Sequence, residues 1–201
     1  MAKRVVVLDY GSGNLRSAQR ALERVGAEVE VSADPGAALE ADGLVLPGVG
    51  AYAACIAGLA AIGGPALVAE RVHRARPLLG ICVGMQVLFD AGVEHGVETE
   101  GLGVIAGRVE LLQAPILPHL GWNTVTVQPG SRLFAGLAEG TRYYFVHSYA
   151  AKDAPGLAHT AVHGEQFVAA VESEVVSATQ FHPEKSGDAG ASLLANWLGT
   201  L

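Results

Sequence analysis

Cysteine is nearly absent: Cys55 and Cys82 are the only two among 201 residues. Two are too few for a disulfide framework, so a reduced, cytoplasmic setting is the expectation and each thiol has to be judged on its surroundings. Basic charge is sparse, with 13 Lys and Arg against 20 Asp and Glu and a formal net charge of −7. No block of Lys or Arg offers phosphates a basic face, which argues against a nucleic-acid partner. Long apolar runs are missing. The stretch after Lys3-Arg4 reaches only four apolar residues before Asp9, short of a signal-peptide core, and nothing approaches the roughly 18 residues of a membrane helix. Aromatic residues make up 6%, so the core has to be built from Val, Leu, Ile and Ala.

What is present reads as a compact enzyme. Half the residues are hydrophobic and 16% are charged, and the length suits one domain, residues 1–201. Residues 4–8 (RVVVL) form a continuous β-branched run, the pattern of a strand buried on both faces. Residues 14–25 set Leu15, Ala18, Leu22 and Val25 on one helical face, and Gly26 stands where a helix stops. Residues 27–31, 43–47 and 77–81 read as further strands. A helical stretch covers about 52–75 with a break near Gly63-Gly64-Pro65, and 85–92 reads as a helix. The first half thus alternates strand and helix, as a parallel sheet covered by helices does. The second half is strand-rich, at 107–112, 122–127, 142–149, 158–163, 166–172 and 175–181, with a closing helix at 188–199. The predicted fold is α/β: a mostly parallel central sheet flanked by helices, with additional antiparallel strands in the C-terminal half.

Gly80-Ile81-Cys82-Val83-Gly84 lies between a buried strand and a helix. It matches the nucleophile elbow G-x-Nu-x-G with cysteine as nucleophile. A nucleophile forced out of a sheet on a sharp turn crowds the positions two before and two after, where a Cβ would clash. The helix start aims its amides and positive dipole end at the sulfur, and the Val83 N–H is a natural oxyanion donor. Cys55, in YAACIAGLAAI, has no such context and reads as a core residue.

Near the other end stands Gln180-Phe181-His182-Pro183-Glu184. On an extended segment residues i and i+2 point the same way, so His182 and Glu184 can serve one site, and Pro183 biases His182 towards that conformation. Cysteine, histidine and carboxylate supply what acyl transfer needs: nucleophile, base that becomes acid, and tautomer selector. Leu46-Pro47-Gly48-Val49-Gly50 closes another strand, where open α/β sheets bind ligands, and its glycines let backbone N–H groups approach a substrate.

In the order PGVG, GICVGMQ and FHPE, these segments resemble the class I (triad) glutamine amidotransferases. A narrower resemblance, to the glutaminase subunits of imidazole glycerol phosphate synthase, rests on DYGSGNL at 9–15, LPGVGAY at 46–52, PHLGWN at 118–123, YYFVHSY at 143–149 and QFHPEKSG at 180–187. The resemblance implies that Cys82 attacks glutamine to form a γ-glutamyl thioester, that His182 protonates the ammonia and then activates water, and that Glu184 orients it. Gly48, Val49 and Val83 would bind the oxyanion, and Gly50, Gln86, Ser148 and Tyr149 would hold glutamine. Ammonia would pass to a (β/α)₈-barrel cyclase subunit in histidine biosynthesis, docked near Asn14, Trp122, Asn123 and Lys185. No cofactor or metal is implied. The 48–50 peptides could rest with the oxyanion N–H turned away, which would couple turnover to the partner.

Other readings compete. Gly11-Ser12-Gly13 suggests a dinucleotide site, but the third glycine of the fingerprint falls at Arg16; Asn14 reads better as a helix cap. His159 and His163 have metal-ligand spacing for a helix, yet lie in a strand-like segment without a third ligand. Trp122 and YYFVHSY also suit core packing. A different ammonia-donating glutaminase, for pyridoxal phosphate or anthranilate synthesis, and a peptidase-like or non-catalytic relative remain as alternatives. DYGSGN and PHLGWN speak against the first, and Glu184 and Gln86 against the second.

Overall fold

The computed structural model describes residues 2–201. The first half runs β1 (Arg4–Leu8), α1 (Leu15–Arg24), β2 (Glu28–Ser32), α2 (Pro35–Glu40), β3 (Gly43–Gly48), α3 (Tyr52–Ala61), α4 (Gly64–His73), β4 (Leu78–Cys82) and α5 (Val83–Gln86). The rest is β5 (Phe89–Glu94), β6 (Val97–Glu100), β7 (Ile105–Leu111), β8 (His119–Thr124), β9 (Arg142–His147), β10 (Tyr149–Ala151), β11 (Leu157–His163), β12 (Glu165–Glu172), β13 (Val176–Thr179), a 3-10 turn at Pro183–Lys185 and α6 (Gly187–Leu198). Seven strands form the main sheet in the order β11-β12-β13-β4-β3-β1-β2. From β13 to β2 all neighbours are parallel, while β12 and β11 add antiparallel pairs. This is the α/β architecture read from the sequence.

Burial explains the strand order. The apolar runs of β3 and β4 are buried at every position, as central parallel strands require. At the edge, β2 alternates Glu and Val and stays partly exposed, a charged rim that discourages pairing with another chain. Helix α3 turns Tyr52, Cys55 and Leu59 into the core, so Cys55 is the packed residue its surroundings suggested. The break before α4 is Gly63, at φ +70°.

Several elements depart from expectation, among them β6 (Val97–Glu100), which the sequence reading does not include. Residues 85–92 are not one helix: α5 stops after a single turn and β5 begins at Phe89. The carbonyls of Val87, Leu88, Phe89 and Asp90 accept from N–H groups between Gly101 and Ile105, so pairing with a distant segment claims groups that a helix would have used. Helix α2 was not read at all, although Asp34 caps it through Ala37 N (2.6 Å) with Pro35 next, a recognisable start signal. The strand expected at 122–127 sits at 119–124, because His119–Thr124 pairs residue for residue with β9. The strand expected at 142–149 breaks at Ser148, where the chain leaves the two-stranded ladder and β10 joins β7 in a second, four-stranded sheet.

Among the described residues no single helix is long and apolar enough to cross a membrane.

Candidate active site

Strand β4 delivers Cys82 to the carboxyl edge of the main sheet, where the chain reverses into α5. The turn is strained: Cys82 has φ 55° and ψ −116°, a region that non-glycine residues adopt at a cost of order 1–3 kcal/mol. Its tightness is visible in the glycines. A Cβ on Gly84 would lie 1.9 Å from Leu46 O, and one on Gly80 would lie 2.9 Å from Gly84 O. Parallel register pairs Gly48 with Cys82 and Thr179 with Ile81. The PGVG segment and the stretch after β13 therefore flank the cysteine.

His182 follows that stretch. Its backbone is anchored on both sides, with N–H donating to Tyr144 O (2.9 Å) and O accepting from Ser186 Oγ (2.7 Å). Glu184 reaches it differently from the extended geometry expected. His182 itself is extended, but Pro183–Lys185 curls into a 3-10 turn, which brings Glu184 Oε1 to 2.7 Å from His182 Nδ1. The other ring nitrogen, Nε2, is buried without a protein hydrogen-bond partner. Burial by itself would strip the ring of its proton; interaction with Cys82 and with the Glu184 carboxylate outweighs this and lifts the pKa to about 9.

A cavity of about 190 Å³ joins these groups. Val49, Gly50, Cys82, Val83, Gln86, Ser148, Tyr149, His182 and Lys185 all line it, which gathers nine of the sequence-predicted residues in one place. Glu184 stands behind His182, and Gly48 packs under the elbow, where a Cβ would meet Gly84 N at 2.4 Å. Asn14 borders a small adjoining recess with Gly48 and Glu184. It occupies the N-cap position of α1 but makes no side-chain cap; only its carbonyl serves the helix, accepting from Ser17 and Ala18 N–H. Trp122 and Asn123 lie on β8, outside the cavity. Trp122 is 53% exposed, which removes the core-packing reading.

The Val49 N–H donates to Ser12 Oγ at 3.2 Å, and the Ser12 hydroxyl in turn donates to Val49 O at 2.8 Å. In this conformation the Val49 amide is committed to Ser12.

Sequence reasoning passed over Glu94 and His147, which also line the cavity, and Gln180 behind it. Glu94 carried no motif signal. Gln180 stood in a quoted motif without a role. The two histidines set aside as metal ligands have separate partners: His159 meets Glu172 (2.9 Å) and Gln128 N (3.0 Å), while His163 meets Ile116 O (2.8 Å). Among the described residues no cluster could hold a metal ion. A larger cavity of about 430 Å³ beside Phe134 and Tyr143 contains neither cysteine nor histidine.

A cysteine on a tight strand-to-helix turn, with a histidine and a carboxylate beside it at the end of a parallel sheet, is an arrangement that suits an acyl-transfer enzyme, and the family described as glutamine amidotransferase class-I matches residues 6–200. The chain belongs to that family. The chain is 61% identical over 204 residues to the imidazole glycerol phosphate synthase subunit HisH of Mycobacterium bovis, covering 100% of this chain and 99% of that protein. The HisH subunit of Thermobifida fusca is 57% identical over 211 residues, with full coverage of both. Within the family the chain therefore falls with the glutaminase subunits of imidazole glycerol phosphate synthase. Solved structures agree on the fold. A putative GMP synthase subunit from Thermoplasma acidophilum superposes with TM-score 0.74 at 22% identity, covering 100% of this chain and 94% of that one. PurLQS from Thermotoga maritima gives 0.74 at 22%, covering 99% of each.

Proposed function

We propose that this glutaminase works through Cys82, His182 and Glu184, and that it feeds ammonia to a (β/α)₈-barrel cyclase subunit making imidazole glycerol phosphate in histidine biosynthesis. The Cys82 thiolate attacks the side-chain carbonyl carbon of glutamine and forms a C–S bond. The developing oxyanion is received by backbone N–H groups at Val83 and in the Gly48–Val49 segment. The His182 imidazolium gives its Nε2 proton to the departing nitrogen, and the C–N bond breaks to release ammonia and leave a γ-glutamyl thioester. Neutral His182 then takes a proton from water as that water attacks the thioester. Glutamate leaves, and the thiolate and imidazolium are restored. Glu184 holds Nδ1–H throughout, so that Nε2 faces the reaction. Gly50, Gln86, Ser148 and Tyr149 hold the substrate.

The observation that carries this reading is the His182 side chain: Nδ1 is held by Glu184 while an unpartnered Nε2 shares a cavity with a cysteine on a strained elbow. The partner reading draws support from Trp122 on β8, which is 53% exposed, and from Asn14 and Lys185, which border the recesses beside His182.

The deciding experiment is glutamine hydrolysis by the purified chain, alone and with the cyclase barrel plus its nucleotide ligand, for wild type and Cys82→Ala. The expected result is strong stimulation of the wild type by the liganded barrel. Cys82→Ala should release no ammonia yet still bind the barrel. Ammonia release by Cys82→Ala would refute the nucleophile; activity without stimulation would point to another acceptor.

A further inference from the structure

Gln180, immediately after β13, is completely buried. Its backbone N–H is used by Ala169 O (2.8 Å). Its side chain bridges two residues of the site: one end lies 3.8 Å from Cys82 Sγ, the other 2.9 Å from Gln86. The two ends of an amide have nearly the same shape, so the end that faces sulfur has to be found from the partners.

The backbone carbonyl of Tyr149 decides it, because a carbonyl can only accept. It lies 2.8 Å from the Gln86 side-chain nitrogen and 3.0 Å from His147 Nδ1. The Gln86 NH₂ group is therefore the end turned to Tyr149, and its second hydrogen points to Gln180. Gln180 must then present oxygen to Gln86 and its own NH₂ to the sulfur. His147 fits the same direction. Burial holds this ring neutral, with its pKa pushed down to about 3. Nδ1–H serves Tyr149, and Nε2 accepts from His119 Nδ1 at 3.0 Å. The polarity of the array is anchored by a group that cannot flip.

We propose that Gln180 is a further catalytic residue of this glutaminase, whose side-chain N–H donates to Cys82 Sγ and stabilises the thiolate over the thiol. This rests on Cys82 being the nucleophile. A neutral thiol is a weak acceptor, so a donor buried against it gains little; against a thiolate the same hydrogen bond is charge-assisted and stronger. The sulfur carries charge before attack and again when the thioester opens. Gln180 thus favours both the attacking form and the leaving group, while Val83 and the Gly48–Val49 segment serve the oxygen.

The test compares Gln180→Leu, Gln180→Glu and Gln86→Glu with wild type and Cys82→Ala, in complex with the partner subunit. The readouts are the pH dependence of Cys82 alkylation by iodoacetamide and kcat and KM for glutamine. Gln180→Glu keeps the size and the acceptor for Gln86 but puts oxygen against sulfur. Gln86→Glu leaves Gln180 in place and reverses its amide, because the new carboxylate demands the NH₂ group. All three variants should move the alkylation midpoint to higher pH, Gln180→Glu further than Gln180→Leu. A move of one unit corresponds to about a tenfold loss of reactivity below the midpoint. Either carboxylate repels a thiolate by charge alone, so the neutral substitution decides: Gln180→Leu on the wild-type profile overturns the proposal. If Gln180→Leu does not fold, the near-isosteric Gln180→Met decides in the same way. Glutamine hydrolysis surviving in Cys82→Ala would instead sink the underlying nucleophile.

Discussion

His182 shows how three local effects set one proton. The ring is 2% exposed, and burial disfavours the cation. The Cys82 sulfur and the Glu184 carboxylate together overcome that cost and hold the pKa at about 9. A folded-state pKa raised above the ordinary 6.5 stabilises the native protein fully below pH 6.5, and the contribution is lost as pH rises towards 9. Wild-type resistance to urea should therefore decline between pH 6.5 and 9. Glu184→Gln removes one of the two lifting partners, so the decline should still begin near pH 6.5 but be smaller and end at lower pH. The same variant should cut kcat for glutamine by about 10²-fold with little change in KM, since orientation of the base matters most in the transition state. Urea titrations across pH and steady-state kinetics check both; an unchanged kcat would remove Glu184 from the triad. Pairing of His182 with Glu184 was legible in the motif, but not its geometry: the i, i+2 argument assumed an extended segment, and the 3-10 turn at Pro183–Lys185 achieves the contact another way.

At the scale of elements, legibility followed where the hydrogen bonds go. Strands β1, β3 and β4 were readable because their burial is written in continuous apolar runs, and α1 because its apolar positions recur with helical period. Strand β5 was not, since Phe89–Glu94 is decided by partners at Gly101–Ile105, which no local pattern announces. The ends of β8 and β9 were likewise set by mutual register. A second long-range tie holds the 128–134 segment to the sheet. The Glu172 carboxylate at the end of β12 accepts from Ser131 Oγ, from the N–H groups of Arg132 (3.0 Å) and Leu133 (3.1 Å), and from His159 Nε2 (2.9 Å). Burial works to raise its pKa, but these donors prevail and bring it down to about 2. A depressed carboxylate stabilises the fold above about pH 4.5, and this is lost as pH falls towards 2. Glu172→Gln should destabilise the neutral protein by about 3 kcal/mol and flatten the acid limb of its stability curve. Chemical denaturation at pH 7 and pH 3 measures both. Equal losses at the two pH values would show that the charge contributes nothing.

For the whole molecule, the carboxyl edge of the sheet and the exposed face of β8 have to work together. Leu120 and Trp122 point outward from β8 at 62% and 53% exposure, and Val162 of the neighbouring β11 is exposed at 62%. Asn123, on the other face of β8, ties that strand to β11 through Nδ2 to Val162 O (2.9 Å), so the exposed apolar residues sit on two linked strands. Patches of this kind mark association surfaces, and Trp is the residue type most often dominant there. Trp122→Ala should weaken binding to the cyclase barrel by about 10–100-fold without altering the melting temperature of the isolated chain; calorimetric titration showing wild-type affinity would move the interface elsewhere. On the proposed function, docking has to be felt at Val49, whose N–H is spent on Ser12 Oγ. An oxyanion needs that donor free, and the glycines on either side of Val49 let the peptide turn. Ser12→Ala removes both the acceptor of the Val49 N–H and the donor to the Val49 carbonyl. The isolated variant should then hydrolyse glutamine about tenfold faster than the isolated wild type, the effect of an oxyanion donor worth a few kcal/mol regained in part. Stimulation by the liganded barrel should shrink by a similar factor, because the docked state already has the donor in place. An isolated Ser12→Ala chain no faster than wild type would mean that something other than this hydroxyl keeps the lone subunit quiet.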